Sequence, residues 1–170
     1  MIRRSAAACL LVALTACGSP PDPRPAGATT DVVRPPSGQI AHLAEVRVER
    51  HDADDRVVLE FTDRVPGYTV GYRPLPARAD ASGFEIPLPG AAAMVQIALN
   101  PATAAGWGGG EPSYLGPSTV RANATAVITE VAAAGDFEAV LTWAVGLRRA
   151  VPFRVSALDG PPRLVVDFAG

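Results

Sequence analysis

The chain has 170 residues, with 15 basic and 17 acidic side chains and a formal net charge of −2. Every basic side chain is an arginine, which excludes mechanisms that depend on a lysine. A weakly acidic chain is not expected to bind nucleic acid, because contact with phosphates requires a basic surface.

The N-terminal region has the parts of an export signal. Two arginines precede the uncharged segment Ala6–Ala16, and small residues lie directly before Cys17. As a helix this segment would span only about 16 Å, against the ~30 Å hydrocarbon core of a bilayer, so a permanent membrane span is not expected. Leu14–Cys17 resembles the bacterial lipobox, which implies cleavage before Cys17 and a diacylglyceryl group on its thiol. We therefore predict a lipoprotein signal peptide at residues 1–16 and a lipid anchor in the outer leaflet of the cytoplasmic membrane, facing the cell wall.

The two cysteines leave no free thiol in the predicted mature chain. Cys9 would be removed with the signal peptide and Cys17 would carry the lipid, so neither a disulfide nor a cysteine nucleophile is expected. Gly18–Gln39 contains several prolines and no aromatic residue, a composition that favours a disordered, extended chain. At about 3.1 Å per residue, this tether would hold a domain roughly 60 Å from the membrane. Residues 17–39 are therefore predicted to form the lipidated cysteine and a Pro-rich tether.

The remaining residues, 40–170, are predicted to form one β domain. Apolar and polar residues alternate along most of this region, which is typical of half-buried strands. The alternation predicts nine short strands, at Val46–Val48, Leu59–Phe61, Tyr68–Tyr72, Phe84–Leu88, Met94–Leu99, Thr125–Val131, Phe137–Leu147, Phe153–Leu158 and Leu164–Phe168. Strands of this number and length predict an all-β sandwich or barrel.

Three of these strands carry specific expectations. Pro87 removes a backbone donor from the fourth strand, which is therefore expected at a sheet edge. The alanines of Ala124–Ala134 also permit a helix, so both alternatives stay open there. Trp143 alternates with apolar residues and is expected in the core.

An internal repeat suggests that the domain contains two related halves. Val46–Phe61 aligns without gaps on Phe153–Phe168, with identical residues that include Arg47/Arg154, Asp52/Asp159 and Arg56/Arg163. Each segment is predicted to form a hairpin, and the fold class is predicted to be a sandwich of two related antiparallel sheets with a pseudo-twofold repeat. Coincidental similarity between two amphipathic hairpins is the alternative.

The repeat also predicts a register for both hairpins. We expect the loops at Asp52–Asp55 and Asp159–Pro162, which would place Arg47 opposite Glu60 and Arg154 opposite Asp167. In this register Val46, Phe61, Phe153 and Phe168 face the core.

The residues that could carry catalysis are few. His42 and His51 are the only histidines, without the cysteines or the motif of a zinc hydrolase. His51–Asp55 lacks the ligand spacing of a calcium loop and is predicted to be a solvated hairpin loop. We therefore expect no metal, no cofactor and no enzymatic activity.

The segment Trp107–Pro117 is the candidate binding loop. It has neither the Gly-Lys-Ser/Thr of a phosphate-binding loop nor a nearby cation except Arg121. Trp107 and Tyr114 could present flat apolar faces to sugar rings, or both could fold back over the sandwich. Arg121 and Arg73 are the candidates for a ligand carboxylate, with simple solvation as the alternative.

Several segments resemble the AMIN-like domain of actinobacterial secreted proteins and lipoproteins. They are DDRVVLEFTDRVPGYTVGY, AGDFEAVLTWAVGL, PFRVSAL and PPRLVVDF, and the resemblance covers nearly all of residues 40–170. It implies a β-sandwich that directs proteins to peptidoglycan, although no enzymatic domain accompanies it here. The predicted function is a non-catalytic cell-envelope lipoprotein that binds or localises to peptidoglycan or cell-wall glycan. The alternative is an envelope adaptor that docks a partner protein through a loop or a sheet edge.

Overall fold

The computed structural model describes residues 31–106 and 110–170. The predicted signal peptide, Cys17 and Trp107 therefore lie outside the described residues. The described chain forms strands β1 (Val32–Arg34), β2 (Ala41–His51), β3 (Asp54–Phe61), β4 (Gly67–Arg73), β5 (Ala93–Asn100), β6 (Ala102–Thr103), β7 (Thr119–Arg121), β8 (Ile128–Phe137), β9 (Val140–Leu147), β10 (Phe153–Leu158) and β11 (Arg163–Ala169).

These strands form two sheets that pack face to face. One sheet has six strands in the order β1-β4-β5-β9-β8-β7, and the other has five in the order β10-β11-β3-β2-β6. The pairs are antiparallel, except for a short parallel pair between β2 and β6. The prediction of an all-β sandwich is confirmed. The six-stranded sheet begins inside the segment predicted as a disordered tether, however, because Val32–Arg34 forms β1 and pairs with β4.

The core lies between the two sheets and consists of the apolar side chains that alternate along their inner faces. Trp143 is 1% exposed, which confirms its predicted place in the core. The largest fully buried side chains are Trp143, Phe61, Phe153, Phe168, Leu43, Leu59, Ile97, Leu99, Ile128, Leu141, Leu147 and Leu164.

The structure decides one open strand prediction and corrects another. Most of the alanine-rich segment Ala124–Ala134 belongs to strand β8, which begins at Ile128, so it forms a strand and not a helix. The predicted strand Phe137–Leu147 is interrupted by a tight turn at Glu138 and Ala139, whose φ angles are 49° and 62°. Two consecutive positive φ angles are the backbone of a two-residue hairpin turn, so β8 and β9 are separate strands.

The prediction of an edge strand at Phe84–Leu88 is wrong. Residues 74–92 form an irregular segment whose one strand-like contact is an isolated bridge between Arg78 and Glu85. Ile86 and Leu88 pack on a small cluster that includes Met94 and Ala144, on the outer face of the six-stranded sheet. Four prolines in this segment, at positions 74, 76, 87 and 89, remove backbone donors and prevent a regular ladder.

The second predicted hairpin is confirmed residue by residue. β10 pairs with β11 so that Phe153 is opposite Phe168 and Arg154 is opposite Asp167. The loop between the strands is the predicted Asp159–Pro162. Both phenylalanines are buried, and their ring centroids are 6.0 Å apart.

The register of the first hairpin is shifted from its prediction. His51 pairs with Asp54, so the turn contains only Asp52 and Ala53, and Arg47 lies opposite Val58. The φ angle of Asp52 is 54°, a conformation that aspartate tolerates and that allows a shorter turn than its repeat partner has. A shift of two residues keeps each side chain on its face. Val46 and Phe61 therefore remain in the core, as predicted.

Both hairpins lie side by side in the five-stranded sheet, so the repeat relates two halves of one sheet and not one sheet to the other. Between β3 and β11, Val58 pairs with its repeat equivalent Val165. On either side of it, Arg56 pairs with Asp167 and Glu60 pairs with Arg163. The repeat converts one of these pairs into the other, because Arg56 is equivalent to Arg163 and Glu60 to Asp167. A local pseudo-twofold axis therefore passes through the sheet between Val58 and Val165.

Candidate ligand-binding site

The loop from β6 to β7 contains the candidate aromatic residues, and its base is held by one carboxylate. Asp136 accepts hydrogen bonds from the hydroxyl of Thr103, at 3.1 Å, and from the backbone N–H groups of Ala104 and Ala105, both at 2.9 Å. The carbonyl oxygen of Ala104 in turn accepts the N–H of Tyr114 at 3.1 Å. These bonds fix the described ends of the loop against the end of strand β8.

Tyr114 folds back toward the sandwich. Its ring meets Trp143 edge to face, with centroids 5.6 Å apart and an interplanar angle of 86°. Its hydroxyl donates to the carbonyl oxygen of Pro117 at 2.8 Å. Burial raises the pKa of this hydroxyl above its ordinary value, and the negative charge of Glu45 raises it further. Tyr114 therefore covers part of the core while its ring stays half-buried.

Two depressions share the ring of Tyr114 as a wall. The first has a volume of about 320 Å³ and lies between strand β2 and the loop, lined by Ala44, Glu45, Val46, Ser113, Tyr114, Leu115, Gly116 and Pro117. The second has a volume of about 280 Å³ and is lined by Ala104, Tyr114, Gly116, Ser118, Ala133, Gly135, Asp136, Leu141 and Trp143. Leu115 projects from the loop with 86% of its surface exposed. We refer to the two depressions together as the Tyr114 cleft.

Charged side chains lie at each side of this cleft. Glu45 lines the first depression and forms an ion pair with Arg47, which also lies 3.3 Å from a carboxylate oxygen of Glu60. Asp136 lines the second depression. The cleft therefore combines an aromatic ring with carboxylate acceptors on both sides, which is a chemistry suited to hydroxyl donors.

Neither candidate arginine lines the Tyr114 cleft, and the two lie far from each other. Arg73 and Arg121 occupy opposite ends of one cross-strand row on the six-stranded sheet, with Met94, Gly146 and Glu130 between them. At about 4.8 Å per strand, four strand intervals separate them by roughly 19 Å. The structure does not bring these arginines together into one site.

Arg73 is already engaged by another residue of the chain. Its Nη1 and Nη2 atoms donate to the two carboxylate oxygens of Asp31, each at 2.9 Å. This hydrogen bonding lowers the pKa of Asp31 and raises that of Arg73. Arg121 is exposed on β7. Of the two, Arg121 is the one that remains accessible to an external carboxylate.

Asp55 is a buried carboxylate on β3, so the prediction of a solvated loop over His51–Asp55 is wrong for this residue. It is 0% exposed and accepts the N–H groups of Ala126, Val127 and Ile128 at 3.1, 2.6 and 3.0 Å, as well as Nη1 of Arg50 at 2.9 Å. Burial alone would raise its pKa, but these donors hold the pKa below its ordinary value. Because every donor belongs to the chain itself, Asp55 joins the two sheets and does not form a ligand site.

The described residues contain no arrangement for metal chemistry. Within residues 31–106 and 110–170, no group of three or more histidine, cysteine, aspartate or glutamate side chains is placed to hold a metal ion. His42 instead faces Asp63, with Nδ1 3.4 Å from a carboxylate oxygen. None of the described segments forms a helix with the length and hydrophobicity that a membrane crossing needs.

The chain was compared with protein families, curated proteins and solved structures. The family model of the AMIN-like domain matches residues 41–170, which is most of the chain. No curated protein and no solved structure matches.

Proposed function

Because the chain belongs to the AMIN-like domain family, we propose that it is a non-catalytic cell-envelope lipoprotein whose β domain binds peptidoglycan or cell-wall glycan. Domains of this family are generally non-catalytic binding domains with an envelope-associated, peptidoglycan-related role. In this proposal the lipid on Cys17 holds the chain at the membrane, and the Pro-rich residues between Cys17 and β1 let the domain reach the wall.

The observation that supports glycan binding is the composition of the Tyr114 cleft. A sugar ring can lay its C–H face on an aromatic ring, and its hydroxyl groups can donate to carboxylates. Tyr114 offers the ring, and Glu45 and Asp136 offer acceptors on either side of it. Trp107 belongs to the same loop and completes the proposed aromatic pair.

Co-sedimentation with purified cell-wall sacculi tests this proposal. The wild-type domain should sediment with sacculi, and the double variant Trp107→Ala/Tyr114→Ala should lose most of its retention. Because Tyr114 also contacts Trp143, the thermal transition of the variant must be compared with that of the wild type. Glu45→Gln is a second variant, since this side chain is 52% exposed and lies at the surface of the cleft.

A matched control is Phe84→Ala, which removes an exposed aromatic ring from residues 74–92, on the outer face of the six-stranded sheet and outside the lining of the Tyr114 cleft. It should keep wild-type retention. Unchanged retention in both cleft variants would remove the cleft from the proposal. A wild-type domain that stays in the supernatant would contradict wall binding itself.

Replacement of Cys17 by alanine tests the anchor. The variant should accumulate as unprocessed precursor or unlipidated product, because the thiol is the atom that accepts the lipid. Detergent phase partition and the apparent mass on gels measure both effects. A Cys17→Ala protein that stays mature-sized and in the detergent phase would show that the anchor lies elsewhere.

A further inference from the structure

The described strands include four at the ends of sheets, and β10 differs from the other three. β1 and β7, at the ends of the six-stranded sheet, have three residues each, and β6 has two. β10 has six residues and pairs with β11 without a bulge. Natural proteins shorten, bulge or charge their edge strands because an open edge pairs with other chains. β10 lacks the first two of these protections.

The outer edge of β10 offers backbone groups for a further strand. Ala169 donates its N–H to the carbonyl oxygen of Pro152, so in the alternating antiparallel pattern Arg154, Ser156 and Leu158 bond toward β11. The backbone groups of Phe153, Val155 and Ala157 then point away from the sheet. No residue in the described part of the chain forms a backbone hydrogen bond to those groups.

The internal repeat provides a comparison for this edge. β2 is the equivalent strand of the other hairpin, and there Glu49, Arg50 and His51 occupy the positions of Ser156, Ala157 and Leu158. The edge of β2 also has β6 beside Ala41 and His42, and the loop wall of the Tyr114 cleft beside Ala44–Val46. The edge of β2 is therefore both covered and charged. The edge of β10 is uncovered and ends in uncharged residues, of which Leu158 is 40% exposed.

The charges around β10 indicate the kind of partner. Arg148 and Arg149 are exposed shortly before the strand, and the side chain of Arg154 is 40% exposed. Asp167, which lies opposite Arg154, is held by two hydrogen bonds from Arg56 at 2.6 and 3.1 Å, whereas Arg154 is 3.7 Å away. A second copy of the chain would bring more arginines and no β10 carboxylate to this edge.

We propose that β10 is a docking edge for an acidic, extended segment of another protein, which adds to the five-stranded sheet as a further strand with a carboxylate opposite Arg154. Main-chain hydrogen bonds to Phe153, Val155 and Ala157 supply the affinity, and the arginines select the charge of the partner. The wall-binding proposal concerns the Tyr114 cleft and does not involve this edge, so the two proposals succeed or fail separately.

An acidic probe for this edge is a peptide with the sequence of β11, Arg163–Ala169, in which glutamate replaces the first residue, because the natural segment has one arginine and one aspartate and no net side-chain charge. In the antiparallel register that β11 itself uses, its aspartate lies opposite Arg154. Fluorescence anisotropy with the full-length chain should show saturable binding of this peptide. A peptide with arginine in place of that aspartate should bind about fivefold to tenfold more weakly, because like charges directly opposite each other repel.

Two variants of the protein locate the binding. Arg154→Glu should reverse the preference between the two peptides. Val155→Pro should abolish binding of both, since it removes an outward N–H that is not part of the β10–β11 ladder, a position where edge strands tolerate proline. The matched control is Arg121→Glu, which reverses an exposed arginine on the edge of the other sheet and should leave both affinities unchanged.

Three results would overturn the proposal. The first is no binding of the β11 peptide to the wild-type chain, and the second is binding that neither Arg154→Glu nor Val155→Pro alters. The third is a concentration-dependent dimer in analytical ultracentrifugation that Val155→Pro abolishes, because a second copy would then occupy the edge.

Discussion

At the scale of single residues, Asp55 shows how a charged side chain can be placed inside a core. Removing a carboxylate from water is costly unless donors replace the water, and three backbone N–H groups and Arg50 do so here. The donors at 126–128 lie just before and at the first residue of strand β8 of the six-stranded sheet, whereas Asp55 lies on β3 of the other sheet. One side chain therefore connects the two sheets at the end of the core.

Asp55→Asn should destabilise the domain by about 3 kcal/mol at neutral pH, because an amide offers one acceptor where the carboxylate offers two and brings N–H groups among existing donors. Urea denaturation followed by circular dichroism measures this difference. The matched control is Asp52→Asn in the adjacent turn, where the side chain is 91% exposed and the change should stay within about 0.5 kcal/mol. Equal effects of the two substitutions would contradict the assigned role of Asp55.

The alternation of apolar and polar residues along β3 predicts that Asp55 is buried, but the acidic segment His51–Asp55 favoured a different interpretation. Asp55 is in phase with Val57, Leu59 and Phe61, which all face the core, and alternation alone would have placed it inside. The motif instead suggested a solvated loop, because its repeat equivalent at 162 is a proline. Tyr114 was predicted as a candidate because it is an aromatic residue in a long loop. Its edge-on contact with Trp143 joins residues far apart in sequence and could not be predicted from the local sequence around either residue.

At the scale of elements, alternation predicted most of the long strands but their pairing less well, and it missed β1, β6 and β7, which have three residues or fewer. β10 and β11 were predicted in register because the prolines of their loop cannot extend the ladder. The first hairpin shifted because Asp52 adopts a positive φ that shortens its turn, and sequence alone does not distinguish these two turn lengths. Phe84–Leu88 has the pattern of a strand, yet the surrounding prolines make it a covering segment.

Arg154, Asp167 and Arg56 form a row of charges across β10, β11 and β3, and the strengths of its two ion pairs can be predicted. Arg56 binds Asp167 through two hydrogen bonds in a mostly buried setting, whereas Arg154 is more exposed and more distant. Arg56→Ala should therefore cost about 1.5–3 kcal/mol and Arg154→Ala less than about 1 kcal/mol in the free energy of unfolding. Denaturation of both variants, alone and combined with Asp167→Ala, separates each pair. Equal coupling energies for the two pairs would contradict this ranking.

At the scale of the whole molecule, polar contacts join the layers and segments that apolar packing brings together. The hydroxyl of Tyr72 on β4 donates to the carbonyl oxygen of Val151 at 2.7 Å and accepts its N–H at 2.8 Å, at the entry to β10. Asp31 holds the beginning of the described chain to Arg73, and Asp63 accepts the N–H groups of His42 and Arg64. Several of these contacts depend on ionised aspartates that lie at separate places in the fold.

Acid should therefore weaken the entire domain. The hydrogen bond to Arg73 lowers the pKa of Asp31, and although burial alone would raise the pKa values of Asp55 and Asp63, their donors lower both. A lowered pKa in the folded state gives stability that is complete above the unfolded value, near 3.9, and is lost as the pH falls through the folded value. The midpoint of thermal unfolding should thus change little between about pH 5 and 7 and fall below about pH 4.

The thermal midpoints of Asp55→Asn and the wild type, compared over the same pH range, test the contribution of Asp55 to this acid sensitivity. The variant begins with a lower midpoint at neutral pH, but it has one fewer carboxylate that protonation can disrupt. Its midpoint should therefore fall less than that of the wild type when the pH is lowered, so the two curves converge in acid. Thermal unfolding by circular dichroism from neutral pH to about pH 2.5 covers the required range. Parallel curves of midpoint against pH would contradict this prediction. They would mean that Asp55 stabilises the fold equally at neutral and acid pH and so does not contribute to the acid sensitivity.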